Sequence, residues 1–442
     1  MSDKKTISLV RGMKDLHPEE MGKWRKLEGT ARKIFRRYGY AEFRSPILER
    51  LELFARGVGE TTDIVEKEMY AFQDADGESL ALRPEGTASV VRAFIESGGL
   101  IAHPEWRVYY IGPMFRRERP QKGRYRQFHQ IGVEAFGSPS AGVDAEQIKI
   151  LWLVAEELGV KNARFGVNSL GCPVCRPGYR EKLVSYFAKK TSDLCENCNR
   201  RLSINPLRIL DCKEEACKVA SKSAPLMIDN LCDDCKTHFD ELKRSLEYLG
   251  LREDKEFGIN PYIVRGLDYY NRTAFELIAE DKRLGSQSSL AGGGRYDGLV
   301  ETLGGKPTPA VGWALGCERL ISLIDDGGKT GEVEVFVAAF PKTLGKAVEI
   351  AEGIRASGVA AVVEYEPRGL KAQLKRAARL EAKFVLILGE NELSLGKIEL
   401  KSLETGLQVS YNIGDIEGLI KELKKKLKVD KNHIKGASDE EE

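Results

Sequence analysis

The stretch FRRERPQKGRYRQFHQIGVE, residues 115–134, makes an unusual demand on a strand pair. Two segments suited to β-structure by their aromatic and β-branched residues, EWRVYYIGPMFRRE (105–118) and RQFHQIGVEAFG (126–137), meet across a loop dense in positive charge, RPQKGRY (119–125). Side chains on a strand alternate faces, so Phe128, Gln130, Gly132 and Glu134 project from one side, and His129, Ile131 and Val133 from the other. On the preceding segment Met114, Arg116 and Glu118 form a similar row, and an antiparallel hairpin brings Arg116 within reach of Phe128. Gly132 leaves room for a small molecule between Gln130 and Glu134. An aromatic face, a guanidinium and a basic loop suit a nucleotide, by stacking on the base and bidentate donation to phosphate. The alternative is a solvated sheet face, where most polar strand residues sit.

Outward from this pair, residues 21–38 carry apolar side chains near helical spacing, and YAEFRSPILER (40–50) reads as a strand whose Pro46 marks an edge or an end. LALRPEGTASVVRAFIE (80–96) is a strand that turns into a helix after Arg83-Pro84, with Glu85 at the junction. DAEQIKILWLVAEELG (144–159) is a helix with aspartate at its start and glycine at its end. Strands resume at PYIVRGLDYYNRTAFELIA (261–279), followed by the glycine run LAGGGRYDGL (290–299) and a helix, GWALGCERLISLI (312–324), that carries Arg319. The glycine run is neither a P-loop nor a Rossmann fingerprint; it suits close approach of a ligand to backbone, or a tight turn. From 333 onward strand and helix alternate, VEVFVAAF, helix, VAAVVEYE, helix, KFVLILGE, which predicts a small α/β domain. The end, KELKKKLKVDKNHIKGASDEEE, predicts a lysine-dense helix and an acidic disordered tail over 430–442.

Composition bounds the rest. The 442 residues are enough for about three domains at ~150 residues each. With 42% hydrophobic and 31% charged residues the chain is globular. Its 69 basic and 67 acidic residues nearly cancel, so a polyanionic partner must be met by a local patch. The first twenty residues hold no apolar signal core, and no segment approaches the ~18 apolar residues of a membrane span, which predicts a cytoplasmic protein with no membrane partner.

Eight of the nine cysteines lie between Cys172 and Cys235. Cys172/Cys175, Cys195/Cys198 and Cys232/Cys235 have knuckle spacing and Cys212/Cys217 a looser version, so four pairs can make two Cys₄ sites for structural Zn²⁺, with His238 as a substitute ligand. Buried free thiols in a small helical insert are the alternative.

Together these segments resemble the three signature motifs of class II aminoacyl-tRNA synthetases, and specifically the histidyl-tRNA synthetase family. YAEFRSPILER resembles motif 1, the dimer-interface strand; MFRRERPQKGRYRQFHQIGVE (114–134) resembles motif 2; GWALGCERLISLI resembles motif 3. VRGLDYYNRTAFE (264–276) and AGGGRYDGL (291–299) are similar to the two histidine-specific signatures. The resemblance runs from VRGMKDLHP near residue 10 to about residue 425 and is weakest in the cysteine-rich block.

The resemblance implies an α+β catalytic domain on a mainly antiparallel six-stranded sheet (1–166 and 257–326), interrupted by a cysteine-rich insertion (167–256) that leans over the tRNA acceptor stem, and a C-terminal α/β anticodon-binding domain (333–429). It implies activation of L-histidine by ATP with Mg²⁺ to histidyl-adenylate, then transfer to the 3′ end of histidine tRNA, by a homodimer. It places Glu85, Gly86, Thr87, Arg116, Gln130, Glu134, Arg265, Tyr269, Tyr270 and Tyr296 around histidine. Glu85 would take the α-ammonium, and Glu134 would accept from the imidazole N–H. Arg116, Glu118, Arg124, Phe128 and Arg319 would hold ATP, with Phe128 on adenine, Arg116 on the α-phosphate and Arg319 on the γ-phosphate. Arg116 and Arg265 would be the catalytic pair. Two rivals share the fold: the non-catalytic regulatory subunit of ATP phosphoribosyltransferase, and a synthetase for threonine or proline. Motif 2 and the C-terminal domain count against the first, and the histidine signatures against the second. Basic residues in LKAQLKRAARLEAK (370–383) could neutralise anticodon phosphates, or simply form a solvated helix face.

Overall fold

A computed structural model describes residues 6–59, 62, 64–285, 288–325, 333–366 and 368–436, with side chains described as far as Leu427. The chain forms two compact units, 1–328 and 329–442. Strands of the first, in chain order, are β1 (Ala41–Glu42), β2 (Leu48–Arg50), β3 (Tyr70–Gln73), β4 (Ser79–Leu82), β5 (Trp106–Phe115), β6 (Gln127–Phe136), β7 (Ala163–Ser169), β8 (Phe257–Ile259), β9 (Asn271–Ala279), β10 (Ser289–Arg295) and β11 (Ala310–Gly316). Those of the second are β12 (Val335–Ala339), β13 (Ala361–Val363), β14 (Phe384–Leu388), β15 (Lys397–Ser402) and β16 (Gln408–Asn412).

The main sheet has eight strands in the order β1-β5-β6-β11-β10-β9-β7-β8. From β5 to β7 every neighbouring pair is antiparallel, which gives the six strands expected. The short β1 and β8 add parallel edges beside β5 and β7, so the whole sheet is mixed. Pro46 follows β1, and the next three-residue strand, β2, joins a separate sheet with β4 and β3.

The two faces of the main sheet differ in residue size. One face presents Tyr109, Ile131, Val133, Val311, Trp313, Leu315, Phe275 and Leu277 to the helices Met21–Arg37, Ala141–Glu157 and Asp233–Tyr248, and together they form the largest apolar cluster. The cross-strand rows of the other face run Tyr110–Gly132–Ala314–Gly292–Glu276 and Val108–Glu134–Gly312–Gly294–Ala274. That face is paved with glycine and alanine at its centre, so side chains from the surrounding elements can lie flat on it.

Three expectations need correction. The helix read from Asp144 starts at Ala141, where the Ser140 hydroxyl caps it by accepting from the Gly142 N–H; Asp144 is instead fully buried against Arg295. GWALG is strand β11, and the helix begins only at Cys317, because the segment must pair with both β6 and β10. The insertion has its own small core around Tyr179, Leu183, Phe187, Leu207 and Met227, yet its last helix, Asp233–Tyr248, sends Phe239, Leu242 and Leu246 into the main core.

In the second unit β13, β12 and β14 are parallel, joined through the helices Leu344–Ala356 and Leu370–Arg379, as the alternating pattern predicts. The antiparallel hairpin β15–β16, which the sequence did not announce, completes a five-stranded mixed sheet. The helix Ile416–Gly436 extends into the stretch read as a tail, and positions 437–442 lie outside the described residues.

Candidate active site

Register in the β5–β6 hairpin sets the first elements of the site. Met114 stands opposite Phe128, and two residues beyond it Arg116 lies over the Phe128 ring, 5.1 Å from its centroid, with Nε donating to the Pro84 carbonyl at 2.9 Å. The hairpin tip closes through a bridge between Gln121 and Arg124, with Gly123 at a positive φ of 69° that a side chain would resist. Arg319 reaches in from the helix after β11, and its guanidinium donates to the carbonyls of Ser289 (2.8 Å) and Gly123 (3.4 Å).

Arg116, Arg124 and Arg319 thus share a cavity of about 170 Å³ with Glu118, Phe128, Gln130 and Gly292. Burial weakens the hold of each guanidinium on its proton, and Arg319 is further disfavoured by Arg124 and Arg116. Glu118 pairs with Arg116 and Arg124, and Glu68, Glu85, Glu276 and Glu318 act on the three arginines from further off. Three guanidiniums gathered out of water in one cavity are donors that an oligophosphate can engage.

The adjacent pocket carries the opposite sign. Glu134 is wholly buried, accepts from Thr87 Oγ1 at 2.7 Å and from the Tyr296 hydroxyl, and lies so close over Gly312 that a Cβ there would collide with its carboxylate. Burial, aided by the nearby Glu85, outweighs those two hydrogen bonds and pushes the carboxyl up to about 8. Glu85 is buried too, and burial raises it although its two oxygens accept the Thr87 and Ala88 N–H groups at 2.7 and 2.8 Å. It therefore caps the helix Thr87–Glu96, satisfying donors that a helix start leaves open. Tyr269, Tyr270 and Tyr296 close the pocket, with ring centroids 4.6 to 6.4 Å apart.

Arg265 lies between the two regions. Its guanidinium rests on Gly292, where no Cβ fits, and 5.5 Å from the Tyr270 centroid. Arg265 Nε and the nearby Gln130 Oε1 are buried polar atoms without a partner among the described residues. Such atoms cost free energy unless a ligand satisfies them.

The structure brings together the residues singled out on β6, the Arg83-Pro84-Glu85 junction, the glycine run and the Arg319 helix. The room expected over Gly132 is absent, because the Tyr110 ring fills it, passing over both Gly132 and Gly86 with no space for a Cβ at either. Arg295 of the second histidine signature is structural: fully buried, it pairs with Asp144 and with Asp297. His238 does not join the cysteines and lies 3.4 Å from Asp144. Missed in the sequence were Tyr110 and Glu276; the latter is the polar residue of TAFELIA that faces the platform, cross-strand from Gly292 and acting on Arg319. Its position in an alternating strand was the available signal.

The cysteines form two tetrads, Cys172/Cys175/Cys232/Cys235 and Cys195/Cys198/Cys212/Cys217, each with sulfurs within 4.8 Å of one another, and all are free thiols. Sulfur separations of 3.7, 3.8 and 3.9 Å in the first tetrad and 4.0 Å in the second match the ~3.8 Å edge of a tetrahedron with metal–sulfur bonds of ~2.3 Å. Cys172 Sγ accepts from the Val174 N–H, and Cys217 Sγ from the Cys195 N–H. Hydrogen bonds of this kind, acting against burial, bring Cys172 down to about 7 and lower Cys195, whereas burial and the neighbouring sulfurs push Cys198, Cys217 and Cys235 up. By their sulfur geometry both tetrads can hold a metal ion.

A mostly antiparallel sheet carrying a basic hairpin over an aromatic ring, beside a buried cluster of carboxyls and tyrosines, is the arrangement of a class II aminoacyl-tRNA synthetase. Residues 12–320 match the sequence profile of the family described as histidyl-tRNA synthetase, and 334–425 that of an anticodon-binding domain. The chain is 46% identical to a histidine–tRNA ligase of Geobacter sulfurreducens over 91% of its length and 96% of the relative's. It is 49% identical to one of Anaeromyxobacter sp. strain K over 90% and 95%. A crystal structure of apo Staphylococcus aureus histidyl-tRNA synthetase superposes with a TM-score of 0.78 at 34% identity, covering 95% of this chain and all of that one. The chain belongs to the histidyl-tRNA synthetase family. Its activity is ligation of histidine to tRNA, with an anticodon-binding domain at its C-terminal end. Among the described residues no helix is long and apolar enough to cross a membrane.

Proposed function

We propose that the two oppositely charged pockets perform the two halves of histidine activation. ATP lies with its adenine on Phe128 and its phosphates among Arg116, Arg124 and Arg319; histidine lies among Glu85, Thr87, Gln130, Glu134, Tyr269, Tyr270 and Tyr296. A carboxylate oxygen of histidine attacks the α-phosphorus, pyrophosphate leaves, and histidyl-adenylate remains. The terminal ribose hydroxyl of histidine tRNA then attacks the acyl carbon, loses its proton and expels AMP. Arg265 and Arg116 stabilise charge on the α-phosphate, which is mainly electrostatic and positional catalysis. Glu85, its oxygens already engaged by two N–H groups, can add the α-ammonium only as a further donor. Mg²⁺ would neutralise ATP oxygens, and Glu118 and Glu276 are carboxylates suited to it. The carrying observation is the position of Arg265 on Gly292, between a cavity of guanidiniums and a pocket of carboxyls.

The supporting domain plan is a catalytic domain (1–166 and 257–326), the cysteine-rich insertion (167–256) over the tRNA acceptor stem, and the anticodon-binding unit (333–429), in a cytoplasmic homodimer whose interface includes motif 1. The sulfur geometry favours one structural Zn²⁺ per tetrad, which would cross-link the segments around the insertion's small core; metal analysis should return about two equivalents per chain. Likeness to an ATP phosphoribosyltransferase regulatory subunit/histidyl-tRNA synthetase from Bacillus halodurans C, at 21% identity and TM-score 0.63, concerns the fold alone. Pyrophosphate exchange decides the reading: histidine alone among amino acids should drive it, and exchange driven equally by threonine or proline would refute the pocket assignment.

A further inference from the structure

The loop 260–270 between β8 and β9 carries Arg265, Tyr269 and Tyr270, yet it contains only turns and bends. Its main chain makes only a few backbone bonds, Asn260 N–H to the Val167 carbonyl, Ile263 N–H to that of Asn260 and Asp268 N–H to that of Val58, so side chains from elsewhere supply much of the rest. The sheet supplies Asn168, whose amide donates to the carbonyls of Pro261 (3.2 Å) and Ile263 (3.0 Å). Other ties come from the cysteine-rich block. Arg176 Nη2 donates to the Tyr270 carbonyl at 2.6 Å, Arg208 Nη1 to the Gly266 carbonyl at 3.2 Å, and Asn205 Nδ2 to Asp268 Oδ1 at 2.7 Å, while the Tyr262 hydroxyl donates to the Lys222 carbonyl at 3.3 Å.

Three of the bracing groups, Arg176, Asn205 and Arg208, lie next to or between tetrad cysteines. Arg176 directly follows Cys175, and Asn205 and Arg208 lie in the segment that Cys198 and Cys212 close. Where the loop runs into β9, Leu170 N donates to the Arg272 carbonyl and Arg272 N to that of Gly171, one residue before Cys172. The second tetrad is built into the small insertion core, where Cys198 and Cys217 pack with Leu207 and Ile209. Asn205 and Arg208 are therefore placed both by that tetrad and by the buried Leu207, Ile209 and Leu210 beside it.

We propose that the two metal-bound tetrads form the rigid backing of the histidine-recognition loop, so that metal occupancy sets affinity for histidine and, through Arg265, the rate of its activation, while the ATP contacts outside the loop, Arg116, Phe128 and Arg319, stay in place. This rests on the reading that the tetrads hold zinc and that loop 260–270 contacts histidine. Arg176, Asn205 and Arg208 are then positioning residues acting through Arg265 and Tyr270. An insertion acting only on tRNA would leave amino-acid binding independent of it.

The test uses the full chain and two readouts: histidine Kd by titration calorimetry, and KM for histidine and for ATP by pyrophosphate exchange. The double variant Asn205→Ala/Arg208→Ala should keep its metal, its circular dichroism and its KM for ATP, while histidine Kd rises roughly ten-fold through loss of two hydrogen bonds, one to a charged partner. Arg208→Lys, which retains a donor, should recover part of the affinity. Protein stripped with a chelator, provided it keeps its helical signal, should show a histidine Kd at least as weak as the double variant's. An unchanged Kd in a metal-replete double variant would overturn the bracing and leave the zinc reading standing. Purified protein holding well below one metal per tetrad would overturn the zinc reading, and with it the dependence on metal.

Discussion

The guanidinium cavity and the carboxyl pocket stand side by side on one glycine-paved sheet, and each holds its charged groups at a cost. Around Phe128, burial and mutual repulsion weaken the hold of Arg319 on its proton. Around Tyr296, burial with Glu85 nearby pushes Glu134 up to about 8. The regions differ in how the strain is relieved without ligand. Arginine stays charged at any ordinary pH, so its cavity can only await an anion. A carboxyl can take up a proton, so its pocket can neutralise itself and pay the ligand's arrival with proton release. One region is therefore permanently poised, and the other is switched by pH.

The largest test of this contrast is removal of the poised charge. Arg116→Ala and Arg265→Ala should each lower kcat/KM for histidine-dependent pyrophosphate exchange by roughly 10²–10³, the range for loss of a donor to developing charge, with Lys replacements recovering a fraction. A loss under three-fold at both positions would mean that the α-phosphate lies elsewhere. Next in size is Glu134→Gln. It keeps the shape but cannot become a full carboxylate, and KM for histidine should rise roughly ten- to a hundred-fold with KM for ATP little changed, the pattern of a lost substrate contact. A matched rise in both constants would show that the two pockets are one unit.

Much of this site was legible in the sequence, because strand alternation is a local rule. It places Phe128, Gln130 and Glu134 on one face without knowledge of anything else. What escaped depends on contacts between segments far apart. Gly132 looked like empty space, but its neighbour across the hairpin, Tyr110, occupies that space. Glu85 stood out only as a charged residue at a strand-to-helix junction, and alternation could not show that its carboxylate caps the helix that follows. Knuckle spacing exposed four cysteine pairs and could not say that the first joins the last, enclosing the other two. The edge strands β1 and β8, of two and three residues, and the terminal hairpin β15–β16 are too short or too polar to stand out from their surroundings.

A smaller effect should follow from Gly132→Ala. The added methyl group would collide with the Tyr110 ring, which must shift from its place over Gly132 and Gly86. Histidine Kd should weaken by roughly three- to ten-fold, since overpacking costs about 1–3 kcal/mol and part of that is absorbed by relaxation. Calorimetry on Gly132→Ala beside Gly132→Ala/Tyr110→Phe would show whether the buried Tyr110 hydroxyl carries part of that loss. Equal affinity in wild type and Gly132→Ala would place histidine away from Tyr110.

The subtlest prediction concerns the proton on Glu134. Its carboxyl has a folded-state value near 8 against an ordinary 4.5. Between those values the folded chain binds more protons there than the unfolded one. The contribution of this group to stability is thus fully present below about pH 4.5 and is lost as pH rises to about 8. In Glu134→Gln that pH dependence should be absent, so the Tm advantage of the wild type over the variant shrinks with rising pH. Histidine should act on the same equilibrium. If its imidazole N–H donates to Glu134, binding favours the ionised carboxylate and should release up to about one proton near pH 7, seen as a binding enthalpy that varies with the ionisation enthalpy of the buffer. Glu134→Gln should abolish that variation. Binding by wild type with no buffer dependence would mean that Glu134 keeps its proton and donates to the imidazole, which would reverse the direction of that hydrogen bond and remove the pH switch that separates the two pockets.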